Sequence, residues 1–460
     1  MGTALRLFGT SGIRGLVNRE LTPKLAMEVG MALASLRGPG TYLLARDVRG
    51  TGQMLAMAFS SGLMACGGDV IYLGMLPTGA VGFLTRELGA KSGCVVTASH
   101  NPPEYNGLKL FRPDSSPFWP EEQEEVENAI REGAFKLSGW DEVGSYKTSD
   151  ESGRYIEALS GLVELRRKWK VVLDPGCGSA SILAPALFRA VGCEVLVING
   201  QPDGTFPGRN PDPRPDTVGG LMSAVRESGA DVGFAYDGDA DRMIVIDERG
   251  QFVPFDVALA AFASYVVSSK GGGLVITTVE ASYCVDKAVE EAGGEVLRTK
   301  VGDPSVSKEV VEHGAVFGGE PCGAWVIPDV HYCVDGILAS LMVLRALDEK
   351  GLRPSEFFGR VPHFHTAREK VPCPNEFKKA VMEELRTRLL EAFRDVVRTI
   401  EIDGLRVELQ EGWVLVRPSG TEPVIRITAE GRTAQEAHEL ASKALEVVKK
   451  TTEEFSARSF

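Results

Sequence analysis

The chain has 460 residues, 43% hydrophobic and 25% charged, the composition of ordinary globular protein and enough length for roughly three or four domains. A formal charge of −13 argues against a sequence-independent nucleic-acid binder, which gains affinity by neutralising phosphates with a basic face. No run approaches the ~20 apolar residues of a membrane helix, and residues 1–14 lack a signal-peptide core, so a cytoplasmic chain with no membrane and no nucleic-acid partner is expected. The eight cysteines are scattered, with no C-x-x-C pair and no zinc-finger spacing.

Three times along the chain a short apolar strand leads through a polar or Gly-rich turn into a helix that ends at a small residue and Gly, followed by another strand. The first strands are predicted at 42–45, 170–174 and 273–278, short and apolar as when helices cover both faces of a largely parallel sheet. The helices end at Cys66-Gly67, Val191-Gly192 and Ala292-Gly293, where Gly suits a left-handed cap. Further strands are expected at 93–96, 232–236 and 243–246. Residues 400–403, 406–409, 413–417 and 425–429 alternate like strands, and 433–450 reads as one amphipathic helix. Pro, charge and turn residues break the periodicity near 145–151, 247–255 and 362–374. The expected fold class is α/β: three related βαβ mixed-sheet domains at 1–150, 151–252 and 253–365, plus a smaller C-terminal α+β domain at 366–460.

Four segments could carry chemistry. Thr97-Ala98-Ser99-His100-Asn101-Pro102 follows an apolar strand, and the carboxyl end of such a strand is where open α/β sheets place ligands. No G-x-S-x-G surrounds Ser99, which argues against an α/β-hydrolase. Asp237-Gly238-Asp239-Ala240-Asp241-Arg242 puts three carboxylates at alternate positions; they would repel one another unless a hard cation, Mg2+ first, neutralised them. An EF-hand reading fails, since the sixth position is Arg242 and the flanks look like strands. Gly318-Gly319-Glu320-Pro321-Cys322-Gly323 presents a carboxylate able to accept hydrogen bonds from two sugar hydroxyls. Arg417-Pro418-Ser419-Gly420-Thr421-Glu422-Pro423, leading to Arg426, offers a guanidinium, hydroxyls and freed backbone N–H groups that together can wrap a phosphate.

In this order the four segments, with Phe8-Gly9-Thr10-Ser11-Gly12-Ile13-Arg14-Gly15 ahead of them, resemble the α-D-phosphohexomutase family over almost the whole chain. The resemblance implies four domains around a central cleft, carrying in turn a phosphoserine loop, a metal loop, a sugar-binding loop and a phosphate loop. It implies that Ser99 carries a phosphoryl group; that Asp237, Asp239 and Asp241 hold Mg2+ together with phospho-Ser99; and that Lys109, in Asn-Gly-x-Lys, does acid/base work if its pKa is lowered. His100, Arg242 and Arg14 would contact the phosphoryl oxygens. Asp303, Glu320 and Cys322 would meet the sugar, and Arg417, Ser419, Gly420, Thr421 and Arg426 the non-reacting phosphate. A phosphorylated monosaccharide would pass through a sugar 1,6-bisphosphate intermediate, on a monomer or homo-oligomer.

Cys322 stands where many members have Ser, and Ala324-Trp325 where several have His, so the sugar is left open between glucose, mannose and glucosamine, with a phosphopentose as alternative. Two readings of other classes are a metal-dependent phosphatase with Asp237 as nucleophile, and a sugar-phosphate sensor without turnover.

Overall fold

A computed structural model describes residues 7–410, 412–419 and 423–458. Among them are four sheets, of six, four, five and five strands. The first three are wired alike. In the first, Gly40–Arg46 lies between Gly68–Met75 and Ser92–Val96, parallel to both, and Ser92–Val96 pairs antiparallel with Tyr105–Phe111. In the second, Lys170–Asp174 lies between Glu194–Val197 and Val232–Tyr236, and the latter pairs antiparallel with Met243–Ile246. In the third, Gly273–Thr278 lies between Gly294–Thr299 and Phe317–Gly319, and the latter turns back into Trp325–Ile327. The turn from the last parallel strand into its antiparallel partner therefore recurs three times. It holds Ser99, then 237–242, then 320–324.

Local chemistry accounts for this wiring. Gly67, Gly192 and Gly293 have φ of 80°, 89° and 84°, the left-handed helix exit that a Cβ disfavours. Every residue of Val232–Tyr236 and Met243–Ile246 is buried, which explains their unbroken apolar sequence. A central helix, Gly336–Lys350, has eleven buried residues. It touches helix Thr78–Glu87 of the first unit, helix Ala180–Ala190 of the second and helix Phe255–Lys270 of the third, so one helix braces all three. Asp335 caps it: its Oδ1 accepts from Ile337 N and Leu338 N at 3.0 Å, and its Oδ2 from Tyr155 Oη at 2.8 Å. His331, fully buried, lies 3.1 Å from the same carboxylate.

The fourth sheet is wholly antiparallel, in the order His365–Pro372, Val424–Gly431, Gly412–Pro418, Leu405–Leu409, Val396–Ile400, covered by helices Lys378–Ala392 and Ala434–Arg458. The segment 362–374, expected to be a joint, contains an edge strand, His365–Pro372, in which Ala367 and Val371 alone are buried, and the charged solvent face hides the alternation. The strand expected at 400–403 ends at Ile400 and gives way to a turn at Gly404, φ 90°. Residues 145–151 likewise contain a short edge strand, Tyr146–Thr148, parallel to Gly68–Met75.

The fourth unit is fastened to the third by buried Arg406. Its guanidinium lies 3.9 Å from the Trp413 ring centre and donates to Val279 O at 2.7 Å and Ala281 O at 2.9 Å. Glu430 Oε1 accepts from Trp413 Nε1 and from Tyr283 N, both at 2.8 Å.

Candidate active site

Ser99 follows strand Ser92–Val96 by three residues and is fully buried, with φ 52°, a left-handed backbone uncommon for a residue with a Cβ. Its Oγ donates to Asp237 Oδ2 at 2.6 Å and lies 3.2 Å from His100 Nδ1. Burial, and then Arg242 and Arg14, push the His100 pKa down to about 2, which keeps this imidazole neutral.

Asp237, Asp239 and Asp241 are buried and each offers an oxygen within 4.8 Å of the others. Each is also anchored from behind. Asp237 Oδ1 accepts from Arg242 N at 3.2 Å. Asp239 Oδ2 accepts from Thr78 Oγ1 at 2.5 Å and from Lys109 Nζ at 2.6 Å, and Asp241 Oδ2 from Lys109 at 2.5 Å. The remaining oxygens, Asp239 Oδ1 and Asp241 Oδ1, are buried without a hydrogen-bond partner. Burial, then Asp241 and Asp239, push Asp237 well above the carboxylate range, so the three do not carry full charge together unaided. Orphaned hard oxygens around an electrostatic deficit fit a small divalent cation.

Burial pulls the Lys109 pKa down, but Asp239 and Asp241 outweigh it and the net shift is upward. The condition set for Lys109 as a base, a lowered pKa, is therefore not met. Clamped between two carboxylates, it is a cation and proton donor in this state.

The three hairpin turns meet. Met243 N donates to Gly323 O at 3.1 Å, and Arg242 and Ala324 form an isolated β-bridge, so the turn of the third sheet is paired to that of the second. A Cβ on Gly238 would lie 2.5 Å from Ser99 O, so the second turn also sits against the first. Glu320 Oε2 accepts from Gly302 N at 2.8 Å. Burial, and then Asp303, raise the Glu320 pKa to about 7; burial raises Asp303 as well. Cys322 is half-buried, and burial lifts its pKa to about 12, leaving a neutral thiol within electrostatic reach of Arg242. Arg14 Nη1 donates to Asn101 Oδ1 at 3.0 Å. Arg14 Nε and Arg242 Nε are both buried without a hydrogen-bond partner, Arg242 Nε lying 3.9 Å from Asp241 Oδ1.

The phosphate-loop residues form a second group, on the C-terminal unit. Arg417 lies directly across the ladder from Arg426. Arg417 Nη1 donates to Asp403 Oδ2 at 3.0 Å and lies 3.3 Å from Glu280 Oε1, just past strand Gly273–Thr278 of the third unit; its Nε is buried without a partner. Ser419 N donates to Val424 O at 3.0 Å, and Ser419 O accepts from Lys378 Nζ at 2.6 Å. Gly420 and Thr421 lie outside the described residues.

Sequence reasoning missed Asp47, Thr78, Glu280, Lys378 and Arg49. The last is fully buried and donates to Ser99 O at 2.8 Å. Asp47-Val48-Arg49 directly after an apolar strand was the one available signal, since a charged pair at that place must find partners.

Over residues 5–137, 153–250, 254–364 and 370–447 the chain matches, in order, alpha/beta/alpha domains I, II and III and the C-terminal domain of phosphoglucomutase/phosphomannomutase. It is 47% identical over 434 residues to the probable phosphoglucosamine mutase of Methanothermobacter thermautotrophicus, spanning 94% of this chain and 95% of that protein. To the probable phosphoglucosamine mutase of Pyrococcus abyssi it is 44% identical over 444 residues, spanning 96% and 98%. A phosphoglucomutase/phosphomannomutase family protein from Burkholderia thailandensis, solved by X-ray crystallography, is 30% identical with a TM-score of 0.87, over 96% of this chain and 97% of that one. With the match running through all four segments at nearly full length, the chain belongs to the α-D-phosphohexomutase family and is an intramolecular phosphotransferase.

Proposed function

We propose that the chain interconverts the 1- and 6-phosphates of a hexosamine, glucosamine first, through a phosphoserine at Ser99. The observation that carries this reading is Ser99 Oγ, aimed by a left-handed turn at Asp237 Oδ2, 2.6 Å away, beside two carboxylates with orphaned oxygens. The names of the similar archaeal proteins favour an amino sugar over glucose or mannose.

Asp237, Asp239 and Asp241 would hold Mg2+, which supplies Lewis-acid neutralisation of charge on the transferring group. His100 Nδ1 lies 3.2 Å from the nucleophile oxygen. Lys109, Arg242 and Arg14 set three cations around it, and Arg14 and Arg242 each keep a buried Nε–H that makes no hydrogen bond, the kind of donor a phosphoryl oxygen satisfies. In-line transfer needs little covalent help, so positioning and charge provide most of the rate. Glu320 and Asp303 face the sugar. Arg417, Ser419, Arg426, Gly420 and Thr421 would hold the phosphate that is not reacting while a 1,6-bisphosphate turns over. The boundaries 1–150, 151–252, 253–365 and 366–460 would divide the four loops among four domains.

The test is isomerisation of the 1-phosphates of glucosamine, glucose, mannose and ribose, with Mg2+ and a trace of the matching bisphosphate, by wild type and Ser99→Ala. Turnover of glucosamine 1-phosphate by wild type alone, with label retained on Ser99, is expected. A Ser99→Ala variant as fast as wild type removes the proposal, and label on Asp237 moves the assignment to the phosphatase reading.

A further inference from the structure

A guanidinium has five N–H donors, and all five of Arg49 are spent on one neighbourhood. Nε donates to Asp47 Oδ2 at 3.0 Å. Nη1 donates to Tyr105 O at 2.9 Å and Pro102 O at 2.5 Å. Nη2 donates to Ser99 O at 2.8 Å and Asn101 O at 2.6 Å. Three carbonyls of the Ser99 turn and that of Tyr105, which opens the next strand, are thus gathered on one side chain, itself fully buried, with the Phe206 ring of the second unit 5.0 Å from its centre.

The other end of Ser99 is tied to the same pair. Its N–H donates to Thr97 Oγ1 at 2.9 Å, and Thr97 Oγ1 donates to Asp47 Oδ2 at 2.7 Å. Asp47 Oδ1 accepts from Arg49 N at 2.9 Å, which closes the loop of bonds. Both backbone polar groups of Ser99, before and after its Cα, are therefore fixed by Asp47 and Arg49.

A turn that only reversed the chain would put glycine in this left-handed position, as the equivalent turn of the third sheet does with Gly323 at φ 86°. A serine is held there because its side chain is needed, and a left-handed residue with a Cβ persists only when its surroundings over-determine it. We propose that Asp47 and Arg49 are positioning residues for phosphoryl transfer: they impose the left-handed backbone that aims Ser99 Oγ at the Asp237 carboxylate. This rests on the reading of Ser99 as the phosphoryl carrier.

Arg49→Lys keeps the charge and loses the fork, and Thr97→Val, nearly isosteric, cuts the link to Ser99 N. Arg49→Lys is expected to lower kcat and the rate of phosphoenzyme formation from glucose 1,6-bisphosphate about 100-fold, and Thr97→Val about tenfold, with KM for the sugar phosphate within about threefold of wild type. Thr97→Val decides the matter if Arg49→Lys does not fold. Unchanged kcat in the folded variants, or a loss that appears in KM, overturns the proposal. The strain itself is read separately by comparing unfolding midpoints of Ser99→Gly and Ser99→Ala, both without the hydroxyl. The glycine variant should melt higher; if alanine is equal or better, the turn is not under imposed strain and the clamp has no such role. That comparison stands even if no phosphoenzyme forms at Ser99, an outcome that removes the carrier reading instead.

Discussion

The Ser99 turn and the Glu320 turn occupy the same place in the same wiring, yet they are built by opposite means. In the first the left-handed residue is Ser99, the proposed phosphoryl carrier, and Thr97, Asp47 and Arg49 hold it. In the third, Gly323 takes the left-handed position at φ 86° and the presented side chain, Glu320, sits three residues earlier on ordinary backbone. The second turn is intermediate, with Ala240 at φ 58° between two presented aspartates. A side chain that must itself stand on the strained residue needs buried support from elsewhere in the unit; one that stands beside it needs only glycine.

This contrast can be broken at each turn. In the second turn, Asp239→Asn removes a charge shared by Thr78 and Lys109, and turnover should fall by about 100-fold or more, with weaker Mg2+ or Mn2+ binding by calorimetry; unchanged metal affinity would remove Asp239 from the proposed site. In the third turn, Gly323→Ala places a Cβ 2.0 Å from Met243 O in a left-handed residue. Denaturant unfolding should show a loss of about 3 kcal/mol, whereas alanine at a right-handed position of such a loop would be nearly neutral. Thr78→Val keeps the shape and deletes the donor to Asp239; metal affinity should drop about tenfold and return with Thr78→Ser.

The smallest effect is a pH dependence at Glu320. With its folded pKa near 7 and an ordinary unfolded value, the native state holds the extra proton between about pH 4.5 and 7. Its contribution to stability therefore declines as pH rises through that window, while the ionised form proposed to accept sugar hydroxyls grows. KM should improve several-fold from pH 6 to 8 in wild type and stay level in Glu320→Gln; a slope that survives the substitution belongs to another group.

The strands that the sequence made legible are those buried on both faces and those that alternate, such as Val424–Gly431. Val232–Tyr236 and Met243–Ile246 read directly as apolar runs bounding an acidic turn. His365–Pro372 did not, because an edge strand with a charged outer face has no apolar period to detect. The three aspartates drew notice because their charges repel without a cation, whereas Ser99 stood out only once four segments in order resembled one family. Arg49 and Thr78 were not legible: an arginine that ties up carbonyls and a threonine behind an aspartate have no spacing rule, only partners 50 and 161 positions away. The raised pKa of Lys109 was likewise invisible, since it depends on Asp239 and Asp241 arriving from another unit.

The seating of Arg406 on Val279 O and Ala281 O makes the C-terminal quarter a poor candidate for modular exchange. Its cation is received by main-chain carbonyls, which every sequence possesses, but only where strand Gly273–Thr278 ends in that particular bend, and Trp413 and Glu430 must arrive with it. A chimera that grafts a relative's last segment onto this chain would inherit a buried guanidinium or a vacant pair of carbonyls unless both halves of the joint were carried over. Recombination points within the family should therefore favour cuts that keep residues 279–283 and 406–430 from the same parent.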